Sequence, residues 1–445
     1  MLSPSEINEN QKKYMIKSWS TQGGYNPKVI VSAKGSYFTD SDGKDYLDFS
    51  SQLMCSNLGH SHPDIIEGIK KQTEKLCYVH AGFGTEPVAE LSKLVAEITP
   101  GDLSKTFFSS SGCEANEAAL KAARFYTGGH KIISRYRSYH GGTFGAVAIT
   151  GDPRRWYTEP MQMPGVIFAP DAYCYRCPFS LKYPECGLQC AEYVDYMIEY
   201  EGGAQGKVAA VVTEPIVGSN GIIVPPDGYF KRLREICDKW GVLMIDDEVM
   251  AGFGRTGKWF AINHWDVVPD IMTMAKGITG AHIPLGATVL SKKIADHFDE
   301  NLFCHGHTYV SHPLPCAAGV AAINAYKKHD VIENAAKMGK ILGKRLMELK
   351  EDHKCVGDVR GKGVFWGVEP VKNRETKEPF ARVHQKFQAS TINKMLGEAM
   401  KKGVYIIHVI NTIIVAPPCT TNEEEIEKGC DVLDEVLKIG DKEVK

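Results

Sequence analysis

Seven short β-prone runs recur along the middle of the chain, at residues 105–109, 131–136, 166–169, 208–213, 242–247, 271–275 and 286–290, and helical patterns fill the intervals between them. Most are dominated by Val, Ile, Ala and Met with little alternation, so they predict strands covered on both faces. Strands that alternate with helices in this way predict an α/β architecture on a mostly parallel, seven-stranded sheet. In open sheets of this kind chemistry collects at the carboxyl edge, so the residues just after each run carry the functional argument.

The flanks read differently. Residues 37–49 form an expected hairpin, with an Asp42-Gly43 turn between alternating strands. After Pro315 a long helical stretch runs from Ala317 through Lys350, followed by short strands at 363–368 and 405–414 and a closing charged helix. The expected organisation is a large domain at 66–325 and a smaller α+β domain formed by 1–65 and 326–445. No internal repeat or low-complexity segment interrupts it.

Composition excludes several function classes. A chain of 445 residues is too long for one compact core. Its net charge of -2, with the signs interleaved, leaves no basic footprint for nucleic acid or an anionic membrane. No apolar stretch is long enough to span a bilayer, and Met1-Leu2-Ser3-Pro4-Ser5-Glu6 lacks the pattern of a secretory signal. Thirteen cysteines in a chain of this length do not make a disulfide scaffold, and the expected compartment is the cytosol.

Two of the strand ends carry suggestive groups. The run Asp270-Ile271-Met272-Thr273-Met274-Ala275 delivers Lys276, followed by Gly277, and Val242-Leu243-Met244-Ile245 ends in Asp246-Asp247-Glu248. A lysine and an aspartate at one sheet edge suit pyridoxal phosphate, which needs an amine to condense with its aldehyde and an acid to keep its pyridine nitrogen protonated. Either residue alone reads as a solvated loop group. Ser109-Ser110-Ser111-Gly112-Cys113 opens a strong helix, whose free N–H groups and small residues suit a phosphate, although an ordinary serine cap would look the same. Tyr139-His140-Gly141-Gly142-Thr143 offers an aromatic ring to stack on a flat cofactor, or else a glycine-rich turn. Glu214-Pro215 ends another strand, and its carboxylate suits an arginine or a substrate amine; Arg255 reads as a structural brace.

Taken in order, these segments resemble the class III (ω-amino acid) aminotransferases of fold type I over nearly the full chain. The resemblance rests on Leu58-Gly59-His60-Ser61-His62-Pro63, the stretch from Phe107 to Glu117, Ser138-Tyr139-His140-Gly141-Gly142-Thr143 and Thr213-Glu214-Pro215. It continues through the stretch from Asp247 to Gly257, Met274-Ala275-Lys276-Gly277 and His305-Gly306-His307-Thr308-Tyr309. It implies that Lys276 holds pyridoxal phosphate covalently and carries the proton, and that Asp247, at the first place of the Asp-Glu-Val signature, pairs with the pyridine nitrogen. It further implies backbone contacts to the phosphate from Ser111, Gly112 and Cys113, ring contacts from Tyr139 and Val249, and a reach by Thr308 to the neighbouring subunit's phosphate. A homodimer, or a higher oligomer with shared active sites, follows from that last contact.

Departures from the family pattern bear on substrate. Many relatives carry Gln where this chain has Met250, and relatives that grip a carboxylate place an arginine where Ile407 or Ile414 stands here. Isoleucine cannot replace a bidentate guanidinium, so the donor lacks the usual carboxylate or is held by other groups, with Glu214, His408 and Arg382 as substrate candidates. Cys174, Cys177, Cys186 and Cys190, at spacings of 3, 9 and 4, read either as a structural metal or redox site or as four unligated thiols in an insertion.

The expected activity is transfer of an amino group from a small-molecule amine donor to an α-keto acid acceptor, pyruvate or 2-oxoglutarate. The missing arginine and the cysteine-bearing insertion make the chain most similar to the taurine aminotransferases, which implies taurine as donor and sulfoacetaldehyde as product. β-Alanine, 4-aminobutyrate or a diamine is the alternative donor. An aminomutase is the alternative of another reaction class.

Overall fold

A computed structural model of the chain describes residues 2–159, 162–202, 207–385 and 390–445. Its centre is a seven-stranded sheet in the order Leu103–Ser109, Gly286–Ser291, Ile271–Met274, Leu243–Asp247, Val208–Thr213, Lys131–Arg135, Val166–Ala169. All seven expected runs enter this one sheet. Every pairing is parallel except those of Gly286–Ser291, which runs antiparallel to both neighbours. The four strands Val208–Thr213, Leu243–Asp247, Ile271–Met274 and Gly286–Ser291 are buried at every position. Covering helices explain this: Gly112–Thr127 packs its alanines against the sheet, and Tyr229–Trp240 buries Phe230, Leu233 and Ile236.

The flanking segments meet each other. Tyr37–Asp40 and Asp45–Asp48 form the expected hairpin, and Asp45–Asp48 then pairs in parallel with Val404–Tyr405. Gly43, with φ of +80° in the turn, supplies the conformation that closes it. A second C-terminal sheet contains Val356–Lys362, Phe365–Asn373, Thr412–Val415 and Ile407–Val409.

Two expectations on the C-terminal side change. The single strand read over 405–414 is three strands, because Ile410 adopts a left-handed φ of +54° and folds Ile407–Val409 back antiparallel on Thr412–Val415. The continuous helical stretch is two helices, Pro313–Lys328 and Val331–Asp352, separated where Asp330 takes φ of +48°. No helix among the described residues is long and apolar enough to cross a membrane.

Candidate functional site

The carboxyl ends of the sheet strands open into a cavity of about 590 Å³ lined by Lys276, Asp247, Tyr139, Gly112, Cys113, Val249, Glu214 and His408, among others. Residues scattered from 112 to 408 in sequence therefore share one space. Lys276 follows the end of Ile271–Met274 and holds a left-handed φ of +49°, which is uncommon for a side chain larger than glycine. Its burial pushes the amine below its ordinary value, against the opposing pull of Cys55, Asp247 and Glu214.

Asp247, and not Asp246, lines this cavity. One of its oxygens lies 2.6 Å from His140 Nδ1 and accepts from Asn116 Nδ2 at 2.9 Å; the other accepts from the Val249 amide at 3.0 Å. Asp246 lies one residue earlier in the strand. It is fully buried, both its oxygens lack a hydrogen-bond partner among the described residues, and burial beside Glu248 and Asp247 pushes its carboxyl well above the usual range. Hydrogen-bond donors favour the charged form of a buried carboxyl, and burial without them favours the protonated one.

Ser111 caps the helix Gly112–Thr127, accepting from the Glu114 amide at 3.3 Å, so the free N–H groups of that helix start at the cavity wall. A Cβ on Gly112 would stand 2.9 Å from Val249 Cγ1, and one on Gly141 2.7 Å from Cys113 Sγ, so both positions need the bare backbone. Together these features fit pyridoxal phosphate: an amine with no ion pair among the described residues, an anchored carboxylate, ring-sized walls in Tyr139 and Val249, and a helix start for an anion.

The substrate candidates separate. Glu214 is buried and accepts from the Tyr139 amide at 3.0 Å and the Gly218 amide at 2.8 Å, which ties it to the placement of Tyr139. His408 lines the cavity, but its Nδ1 lies 3.1 Å from the Ile410 carbonyl and burial lowers its pKa. The neutral ring thus carries its proton on Nδ1 and presents a lone pair on Nε2, which cannot donate to an oxyanion. Arg382 is exposed and lines a neighbouring cavity. Thr308 is exposed outside the main cavity, its carbonyl accepting from Tyr78 Oη at 2.8 Å. Ile407 lines the cavity, while its antiparallel partner Ile414 is buried in the core. Arg255 is fully buried and braces the loops, donating to Asn57 at 2.7 Å and to the Ala416 carbonyl at 3.2 Å.

Arg154 and Trp19 also line the cavity and are absent from the residues the sequence singled out. The Arg154 guanidinium lies 3.4 Å from the Tyr139 ring centroid and 5.4 Å from that of Trp19. Its Nε donates to Asp152 at 2.9 and 3.0 Å and its Nη2 to the same carboxylate, leaving Nη1 without a hydrogen-bond partner among the described residues. Apart from Lys276 it is the only lysine or arginine on the cavity wall among the described residues. The available signal was local: Asp152-Pro153 is a helix-start pair, and it caps the turn Pro153–Tyr157 that carries Arg154.

The expected cysteine metal site is corrected. No group of three or more His, Cys, Asp or Glu among the described residues stands where it could hold a metal ion. Cys190 sits on the helix Gln189–Tyr200 with its thiol in the core, where burial pushes it up to about 12, whereas Cys174 is exposed on the turn Cys174–Arg176. Cys174 is near enough to Cys177 and Cys186, and Cys190 to Cys174 and Cys186, for their charges to interact, yet the thiols do not close into a metal-holding group.

Comparison with known proteins fits this geometry. The family described as Aminotransferase class-III matches residues 20–437. A leucine/methionine racemase from Thermococcus litoralis is 37% identical, covering 95% of this chain and 94% of its own. A taurine–pyruvate aminotransferase from Bilophila wadsworthia is 35% identical over 95% of each chain. The solved structure of a taurine:2-oxoglutarate aminotransferase from Bifidobacterium kashiwanohense, in complex with PLP and glutamate, is 40% identical, with a TM-score of 0.95 and 99% of each chain covered.

Proposed function

The chain belongs to the class III aminotransferases, enzymes dependent on pyridoxal phosphate, and from that premise we propose that its amino donor is taurine and its acceptor an α-keto acid. One observation carries the donor: Arg154 stands on the cavity wall, held by two aromatic faces and a carboxylate, in a site whose usual arginine positions hold isoleucine. Asp152 occupies the Nε edge of the guanidinium, so a substrate oxyanion meets only the Nη end. Other donors, the Ser219 hydroxyl and the Trp19 indole, line the same wall at separate points. A tetrahedral sulfonate with three acceptor oxygens suits dispersed donors better than a planar carboxylate does.

Pyridoxal phosphate, when bound, supplies the aldehyde that accepts the amino group and a ring that withdraws electrons from the amine-bearing carbon. Lys276 would hold the cofactor and move the proton of that carbon, and its burial favours the neutral amine that this role needs. Asp247, fixed by His140, Asn116 and the Val249 amide, holds the proton on the pyridine nitrogen. The N–H groups following Ser111 bind the phosphate, and Tyr139 and Val249 bound the ring. Thr308, exposed beside Tyr309, serves the active site of a second copy, so the working unit is a homodimer or a larger homo-oligomer. The small domain comprises 1–65 and 326–445 and the large one 66–325, a division supported by the pairing of Asp45–Asp48 with Val404–Tyr405. All thirteen cysteines are free thiols, which supports the cytosol as compartment.

The test is kcat/KM for taurine, β-alanine and 4-aminobutyrate, each with saturating pyruvate or 2-oxoglutarate. Taurine is expected to lead by about 2 kcal/mol, some thirtyfold; a preference for either carboxylate excludes taurine and leaves the aminotransferase in place. The racemase relative supports a second reading, in which a single amino acid is inverted or isomerised without a keto acid. Incubation of holoenzyme with donor alone decides it.

A further inference from the structure

A second cavity, of about 300 Å³, adjoins the first: Val409 and Ile410 belong to the walls of both. Arg137, Arg176, Asn220 and Arg382 line it, with Glu369 as its only carboxylate among the described residues. That carboxylate is already engaged: it accepts from Arg176 Nε at 2.6 Å, from Tyr173 Oη, and stands 2.8 Å from Arg360 Nη1. Arg176 Nη2 remains buried with no partner among the described residues. The half-buried guanidinium of Arg137 has no hydrogen bond or ion pair among the described residues. It lies 5.1 Å from the Tyr173 ring centroid, and only its backbone amide is bonded, to Asp171 at 3.0 Å.

Guanidiniums ordinarily meet carboxylates or water, and two with spare N–H groups around one polar recess leave a surplus of positive charge where an oxyanion would complete both. The recess also touches the active site through a side-chain path. Asn220 Nδ2 donates to Asp152 at 3.5 Å, and Asp152 holds Arg154.

We propose that this cavity is a second oxyanion-binding site, which captures the sulfonate or carboxylate of an acidic substrate beside the mouth of the active site and raises its rate of entry. The inference rests on the reading above only in that the substrates are small acids. Its volume is at the lower end of small-molecule sites, enough for a molecule of a few heavy atoms. The sharing of Val409 and Ile410 favours recruitment over a remote regulatory role, since whatever is released from one cavity lies against the wall of the other.

Equilibrium dialysis of holoenzyme with ethanesulfonate, which carries the sulfonate but no amine, tests it directly. Wild type is expected to bind two per chain; Arg137→Gln binds one, and Arg137→Lys, which keeps the charge, restores the second. An Arg137→Gln chain that binds as many equivalents as wild type overturns the proposal, whatever the wild-type number. Loss of one equivalent in Arg154→Gln reports on the other cavity, so a failure of the taurine reading shows there and in the donor panel, not in Arg137. In stopped-flow reactions of the amine-loaded enzyme with 2-oxoglutarate, Arg137→Gln should lower the second-order rate constant about 3- to 10-fold and flatten its dependence on salt, with the saturating rate unchanged. A lowered saturating rate with unchanged salt dependence would place Arg137 in the catalytic machinery and overturn recruitment.

Discussion

His140 Nδ1 lies 2.6 Å from Asp247 Oδ2, and the far nitrogen of the ring, Nε2, is buried without a partner among the described residues. The ring donates from Nδ1, and its orientation is fixed by Asp247. Asn116 completes the bracket, donating to the same aspartate oxygen at 2.9 Å and to the His140 carbonyl at 2.8 Å. Three donors thus fix the carboxylate at the cavity wall.

Asp247→Asn should keep bound cofactor but lose the charge that this bracket holds in place. A loss of about 3 kcal/mol in transition-state stabilisation slows turnover by about two orders of magnitude. Asp246→Asn, at a carboxyl outside the cavity whose burial favours its protonated form, should change kcat by no more than about threefold. Steady-state rates of the two variants, with the cofactor's visible absorbance, check both.

Lys276→Ala should fold and bind cofactor non-covalently, yet lose roughly four orders of magnitude in turnover, because among the described residues no other amine lines the cavity to hold the cofactor and move the proton. Retained multiple turnover would remove Lys276 from both roles.

Arg154→Gln should lower kcat/KM for taurine roughly 30- to 150-fold, the equivalent of about 2 to 3 kcal/mol for a charge-assisted contact. An uncharged primary amine of similar length should be converted at close to the wild-type rate. Equal losses for both donors would assign Arg154 to the placement of Tyr139 instead.

Glu248 gives a stability prediction. Burial pushes its carboxyl up to about 8, while an unfolded glutamate titrates near ~4.3. Between those values the folded chain retains a proton that the unfolded chain has released, so its contribution is fully present at low pH and is lost as pH rises toward 8. Glu248→Gln, which mimics the protonated form, should melt a few degrees above wild type at pH 8 and close to it at pH 5. Thermal unfolding at the two pH values measures the difference.

Much of the fold was legible because strand and helix patterns with two-sided burial are written locally: Val208–Thr213 and Leu243–Asp247 are short apolar runs with no other solution. Lys276 and Asp247 were legible because strand ends in such a sheet point to one edge. Arg154 was not, since it sits on a short turn, Pro153–Tyr157, whose path to the cavity depends on the tertiary placement of Tyr139 and Asp152. The cysteine spacing does bring thiols near one another, but spacing does not specify the exact geometry that a metal requires. The break at Ile410 was hidden in an isoleucine-rich run, where a left-handed residue leaves no trace in hydropathy.

The parallel pairing of Leu47 with Val404 sets an order of events. During synthesis the segment around residues 45–48 emerges early and waits for a partner more than three hundred residues behind it, while the strands of the central sheet can already associate. Ser50 Oγ, which accepts from the Ile407 amide at 3.1 Å and donates to the Ile414 carbonyl at 2.8 Å, is likewise without both contacts until then. The wall formed by Ile407, Val409 and Ile410 is the last part of the cavity to exist. A ribosome-bound chain that already holds Lys276 and Asp247 in folded strands therefore presents an open edge, and closing it is the non-local, slow step of maturation.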